Sequence, residues 1–252
     1  MTKTDWTSSP RAEIRVAGSS ADLVDQGANL IAEQARGAIA QNGRFSIALS
    51  GGSTPAPIYA KLAAEPFRSS IDWSKVSVYF GDERCVPPDS DQSNYRMARQ
   101  SLLSHVPIPE SNIHRMRGED DPQTAAIAYG KLLKEHFGDS GLDLILLGMG
   151  PDGHTASLFP HTVALAETHH RCVANYVPQM LTWRVTMTAP FINRAKIVTF
   201  IVQGVDKADR IQQVITGPRN EQTLPSQLIV PNSGRLIWLL DVAAASKLTG
   251  GK

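Results

Sequence analysis

Apolar and polar positions follow two rhythms along this chain. Short apolar runs, each closed by glycine, proline or a polar cluster, predict β-strands at Glu13–Val16, Phe45–Leu49, Val76–Phe80, Leu142–Leu147, Arg171–Val177, Arg184–Thr188, Ile197–Val202 and Leu236–Asp241. Between most of them lie stretches with helical spacing. Ala21–Gln41 carries Leu23, Val24, Leu30, Ile31 and Ile39, and Pro55–Ala64, Tyr95–Leu103, Gln123–Phe137 and Lys207–Thr216 follow. Phe45–Leu49 and Leu144–Leu147 lack polar alternation, which suits strands covered on both faces. Strands alternating with helices point the same way, to a parallel α/β fold. No repeat or low-complexity linker interrupts the pattern, and at this length one large domain or two small ones are expected. Ligands of such sheets sit beyond the carboxyl ends of the strands, and candidate chemistry is sought there.

Four strand ends carry it. After Phe45–Leu49 comes Ser50-Gly51-Gly52-Ser53-Thr54-Pro55. Its glycines allow a tight turn, Thr54 suits an N-cap and Pro55 the first helical position, an arrangement that aims N–H groups and hydroxyls at a phosphate. An ordinary capped turn would use the same residues, and no Walker A lysine follows. After Val76–Phe80 stands Gly81-Asp82-Glu83-Arg84, able to orient a polyol and hold an anion, or to pair internally in a solvated loop. Downstream, capping accounts for Ser93 or Asn94.

After Leu142–Leu147 comes Gly148-Met149-Gly150-Pro151-Asp152-Gly153-His154-Thr155. Its glycines match the dinucleotide fingerprint, but Pro160 arrives too early for that unit's long helix, and no acidic residue ends the next strand. The fingerprint also leaves Asp152 and His154 unexplained. A histidine titrates near neutral pH, and a carboxylate two residues away can orient it, so this pair is the candidate general base. The fourth strand end is basic: Lys207 in a first helical turn capped by Asp206, with Arg184 able to meet the same anion. Singly, each reads as a surface cation. Together with Ser53 and Thr54 they form a phosphate clamp.

Composition narrows the classes. A 42% hydrophobic content excludes a disordered chain, and 25 Lys+Arg against 24 Asp+Glu leave a net charge of +1, which argues against a nucleic-acid partner. Two cysteines, Cys85 and Cys172, make no disulfide framework and read as free thiols in a reducing compartment. Met1–Pro10 is polar, without the apolar core of a signal peptide, and no stretch approaches a membrane span. The chain is therefore expected to be cytoplasmic. Scattered histidines without a ligand motif predict no metal, and the absence of G-x-S-x-G argues against a serine hydrolase.

Taken together, Leu49 to Pro55, Gly81 to Arg84, Ser93-Asn94, the run Gly148 to Pro160, Trp183-Arg184-Val185-Thr186 and Gly204 to Lys207 resemble the 6-phosphogluconolactonase family, over about Asp22 to Trp238. The resemblance implies that residues 1–252 form a single Rossmann-like three-layer α/β/α domain with a mostly parallel central sheet, shared with glucosamine-6-phosphate deaminases. It also implies hydrolysis of 6-phospho-D-glucono-1,5-lactone in the oxidative pentose phosphate pathway, without metal or other cofactor. His154 and Asp152 fall on the family's catalytic pair. Ser53, Thr54, Arg184 and Lys207 fall on phosphate-side positions, and Arg84 on a substrate-contacting arginine. Ser50, Gly51, Gly52, Asp82 and Gly150 complete the expected substrate contacts. One position departs: Gln203 stands where a small or hydroxyl residue is expected. The expected partner is a small phosphorylated sugar lactone, bound by a monomer or weak homo-oligomer. Two rivals are weighed. Deaminases typically continue the Asp-Gly-His core with Asn-Glu-Pro and carry a tyrosine in place of Arg84, whereas this chain reads Ser157-Leu158-Phe159-Pro160. A non-catalytic sugar-phosphate sensor would not need both Asp152 and His154.

Overall fold

The computed structural model describes residues 12–248. In chain order the elements are β1 (Ala12–Ala17), α1 (Ser20–Asn42), β2 (Phe45–Leu49), α2 (Pro55–Leu62), α3 (Phe67–Ser70), β3 (Val76–Phe80) and β4 (Asp82–Arg84). There follow α4 (Asn94–Ala98), which runs on as a π-helical turn over Arg99–Leu103, then α5 (Pro122–Phe137), β5 (Leu144–Leu147), β6 (Cys172–Val177) and β7 (Thr182–Met187). The chain closes with α6 (Ala189–Ile192), β8 (Ile197–Val202), α7 (Ala208–Thr216) and β9 (Arg235–Asp241).

Six strands form a parallel sheet in the order β1-β9-β8-β5-β2-β3. The two-residue period of each strand sends alternate side chains to opposite faces. Leu144 and Leu146 of β5 join Leu23 and Ile31 of α1 and Ile58 of α2 in one core. Ile145 and Leu147 join Tyr129 and Leu133 of α5 and Ile211 of α7 in the other. All four β5 side chains are buried, which is why this strand shows no polar alternation. Each contributes about 1.5–3 kcal/mol by leaving water, so a charge at Leu144 or Leu146 would break the central strand.

Strand order sets the place for chemistry. From β2 the chain crosses to β3 on one side, while β5 lies on the other side of β2 and is followed outward by β8 and β9. The order in which strands are added therefore reverses between β2 and β5, and a crevice opens there beyond the carboxyl ends. A separate antiparallel sheet, β4-β7-β6, walls it. Gly81 makes the join: its N–H donates to Leu49 O at 3.0 Å, and its carbonyl accepts from Met187 N at 2.8 Å.

The α/β/α expectation holds, with local differences. Leu142 and Asp143 precede β5, because Asp143 accepts from Ser46 N at 2.8 Å and Ser46 Oγ at 2.7 Å and so works as a side-chain link. β7 starts at Thr182, so Arg184 lies within the strand and does not open it. α7 starts at Ala208 after a 3₁₀ turn over Val205–Lys207. β4 is too short and charged to show an apolar period.

Candidate active site

A cleft of about 250 Å³ opens where the strand order reverses, lined by the turns after β2, β3, β5 and β8. Its first wall is the Ser50–Pro55 loop. The loop is rooted by Tyr59, whose hydroxyl accepts from Ser50 N and donates to Ser50 O, both at 3.0 Å. Burial pushes that hydroxyl's pKa well above its usual value, so it stays protonated. Among the described residues nothing accepts the N–H groups of Gly51, Gly52, Ser53 and Thr54. Thr54 makes no side-chain cap and has helical backbone angles, which corrects the N-cap expectation, while Pro55 does open α2. Gly51 has to be glycine, because a Cβ there would overlap the Asn94 side chain.

The second wall is β4. Glu83 is 2% exposed and does not pair with Arg84's guanidinium. It accepts instead from Arg84 N at 2.8 Å, Ser93 Oγ at 3.0 Å, Asn94 N at 2.7 Å and Tyr95 N at 2.8 Å. Burial raises its pKa against the three backbone N–H bonds, and the Asp82 charge adds to the rise. Ser93 caps α4 as expected, its hydroxyl accepting from Arg96 N at 3.2 Å. Asp82 reaches inward, accepting from Ser157 Oγ at 2.5 Å. Arg84 donates to Gln92 O at 2.6 Å and lines the cleft.

Across the small sheet Arg84 stands directly opposite Arg184, so two like charges share one face. Arg184 is 6% exposed, and burial, then the Arg84 charge, lower its pKa. Among the described residues its guanidinium makes only long contacts, to Trp183 O at 3.3 Å, Thr182 Oγ1 at 3.4 Å and Met180 Sδ at 3.8 Å. Arg184 sits behind Arg84 and does not itself line the cleft. An anion beside Arg84 would offset this repulsion.

The third wall is the turn after β5. His154 Nδ1 lies 2.6 Å from Asp152 Oδ1, which also accepts His154 N at 3.1 Å. Burial works against the Asp152 charge, but the His154 bonds outweigh it and hold the carboxyl below its ordinary pKa. An ionised Asp152 makes Nδ1 the protonated nitrogen of the neutral ring and leaves Nε2 an acceptor. The ring stacks on Phe159, centroids 4.0 Å apart at 22°. Gly150 lies so close beneath it that a Cβ would overlap the imidazole. Gly150 N donates to His154 O at 2.9 Å and Gly153 N to Gly150 O at 3.0 Å, so both N–H groups are used within the turn.

Lys207 completes the cleft. It is the residue preceding α7 and pairs with Asp206 at 3.0 Å, so Asp206 is its counter-ion and not the helix cap. Of the expected residues, Ser50, Gly51, Gly52, Ser53, Thr54, Asp82, Arg84, Gly150, His154 and Lys207 all line one cleft, with Asp152 behind His154. Asn94, Ala156 and Gln203 line it too, beyond the expected set. Asn94's capping position hid its second use, which depends on a contact with Gly51 across the fold. Among the described residues no group of three or more His, Cys, Asp or Glu side chains gathers as metal ligands.

The family model for glucosamine-6-phosphate isomerases and 6-phosphogluconolactonases matches residues 18–238. A 6-phosphogluconolactonase of Nostoc sp. is 40% identical over 242 residues, 94% of this chain and 98% of that one. One of Synechocystis sp. is 44% identical over 218 residues, 84% of this chain and 88% of that one. The solved 6-phosphogluconolactonase of Trypanosoma brucei superposes with a TM-score of 0.84 at 28% identity, over 95% of this chain and 99% of that one. The chain thus belongs to the family of glucosamine-6-phosphate isomerases and 6-phosphogluconolactonases, and it groups with the lactonases, which are hydrolases.

Proposed function

We propose that this protein hydrolyses 6-phospho-D-glucono-1,5-lactone to 6-phospho-D-gluconate, as a cytoplasmic enzyme of the oxidative pentose phosphate pathway. The observation that carries the reading is one cleft holding both an oriented His–Asp pair and a cluster of cations, Arg84 and Lys207 with Arg184 behind. The cations and the unpaired N–H groups of Ser53 and Thr54 seat the 6-phosphate. Anchoring the phosphate brings the lactone carbonyl to His154 and removes much of the entropic barrier.

His154 Nε2 takes a proton from water as the water oxygen bonds to C1. Asp152 stabilises the imidazolium that forms. The tetrahedral oxyanion draws on donors of the cleft other than Gly150 and Gly153, whose N–H groups are already used. Collapse breaks the bond from C1 to the ring oxygen, and Nε2–H protonates that oxygen, restoring neutral histidine. Free Cys85 and Cys172 suit a reducing compartment, and among the described residues no helix is long and apolar enough to cross a membrane.

The deaminase alternative is disfavoured by how the Ser157–Pro160 segment is used. Phe159 stacks on the catalytic ring and Ser157 binds Asp82, so this segment builds the site. The test is to offer the protein the phosphorylated lactone and glucosamine 6-phosphate in parallel. Acid release from the lactone beyond its spontaneous hydrolysis supports the reading, and ammonia release from the amino sugar contradicts it.

A further inference from the structure

The two working halves of the cleft come from segments far apart in sequence, the phosphate loop after β2 and the His154 turn after β5. One buried carboxylate joins them. Asp82, 9% exposed, accepts from Ser157 Oγ at 2.5 Å on Oδ2 and from Asn94 Nδ2 at 3.3 Å on Oδ1. The same Asn94 amide donates to the Asp82 carbonyl at 2.9 Å. Asn94, also buried, occupies the space a side chain on Gly51 would need, so the phosphate loop rests on it. Ser157 lies three residues after His154 and is buried as well. Its N–H donates to Thr186 Oγ1 at 3.2 Å, and its carbonyl accepts from Asn175 Nδ2 at 2.8 Å.

We propose that Ser157 and Asn94 are positioning residues that act through Asp82, forming a strap that sets the distance between the phosphate seat and the His154 imidazole. The inference rests on the lactonase reading above. A substrate anchored by its phosphate presents C1 at a fixed distance from the anchor. The catalytic nitrogen must therefore be held in register with the loop as well as with its own Asp152. Both Ser157 and Asn94 donate, and a carboxylate between them can accept from both. Removing the Ser157 hydroxyl leaves Asp82 Oδ2 without its buried donor and frees the His154 turn from the loop. The His154–Asp152 bond and the cations of the phosphate seat stay in place. A misplacement of roughly 1 Å in such a site costs up to about 10²-fold in rate.

The test is steady-state kinetics of the full chain on the phosphorylated lactone, with inorganic phosphate as competitive inhibitor, for Ser157→Ala, Asn94→Ala and the double variant. Ser157→Ala is expected to lower kcat about tenfold or more while the phosphate inhibition constant stays within about twofold. Because both residues act through Asp82, kcat of the double variant is expected to be no lower than that of the worse single variant. Ser157→Cys, which keeps a donor hydrogen, is expected to recover part of the lost kcat and serves also if the alanine variant folds poorly. The strap is overturned by near-wild-type kcat in Ser157→Ala, by phosphate affinity falling in step with kcat, by multiplicative losses in the double variant, or by a cysteine variant no better than the alanine. A wild-type chain without lactonase activity overturns the functional reading and the strap together. An active wild type with any of the other outcomes overturns the strap alone.

Discussion

The two ends of the parallel sheet make an instructive pair. Each carries an opening lined by histidine, acid and base. The one at the amino ends of the strands is the larger, about 810 Å³ against about 250 Å³. At that end the polar groups answer one another. Tyr79 Oη and His136 Nδ1 are 2.7 Å apart, His114 stacks on Tyr79 at 4.7 Å, and Asp143 is held by Ser46 and by Lys196 at 2.7 Å. At the carboxyl end Lys207 and Asp82 have partners, but other groups are left wanting. Among the described residues the loop N–H groups lack acceptors, Arg84 and Arg184 confront each other, and His154 keeps Nε2 free after Asp152 has taken Nδ1. Unmet hydrogen-bonding and charge demand, and not volume, distinguishes the carboxyl end.

The comparison can be broken most forcefully at His154. His154→Ala should lower kcat by about 10²–10⁴-fold, with thermal unfolding close to wild type, and steady-state kinetics beside a melting curve checks both halves. Next come the arginines. Arg84→Met, at the cleft wall, should weaken the phosphorylated lactone by tenfold or more, roughly the 1.5–3 kcal/mol of a charge-assisted contact, whereas Arg184→Met, behind it, should weaken the lactone less. Arg184→Met should leave the melting temperature no lower, because it removes a buried like-charge encounter. A clear loss of stability would show that Arg184 is structural.

The opposite end should behave in reverse. Asp143→Ala removes the acceptor for Ser46 N and Oγ and should cost about 1–3 kcal/mol of stability with kcat/KM unchanged, as urea unfolding and the lactone assay would show. The remaining effect at this end is a pH dependence of stability that leaves catalysis alone. Burial, then the neighbouring His136, lowers the His114 pKa from 6.5 to about 4. The unfolded chain therefore binds a proton between those values that the folded chain refuses, and stability falls as pH drops from 6.5 towards 4. His114→Gln should flatten that part of the urea-midpoint profile without changing relative activity.

Much of this was legible in the sequence because the signals are local. β2, β3, β5 and β8 show as apolar runs, and glycine turns after β2 and β5 mark where chain and ligand approach closely. His154 and Asp152, two residues apart, make their own hydrogen bond and need no distant information. What stayed hidden depends on tertiary contact. β4 is three charged residues whose pairing exists only because β7 lies alongside. Asn94 reads as part of a cap, and its role under Gly51 comes from a contact across the fold. Asp206 looked like a cap because it precedes an amphipathic run, but the 3₁₀ turn over Val205–Lys207 sets it against Lys207. The near-neutral charge told only which partners to discount; the facing arginines depend on strand register.

The most direct measurement is stopped-flow hydrolysis of 6-phospho-D-glucono-1,5-lactone, corrected for the spontaneous reaction, for wild type and His154→Ala side by side. The account predicts rapid turnover by the wild type and its near-complete loss in a variant that remains folded. A wild-type rate equal to the spontaneous one, or a His154→Ala variant as fast as wild type, would contradict it.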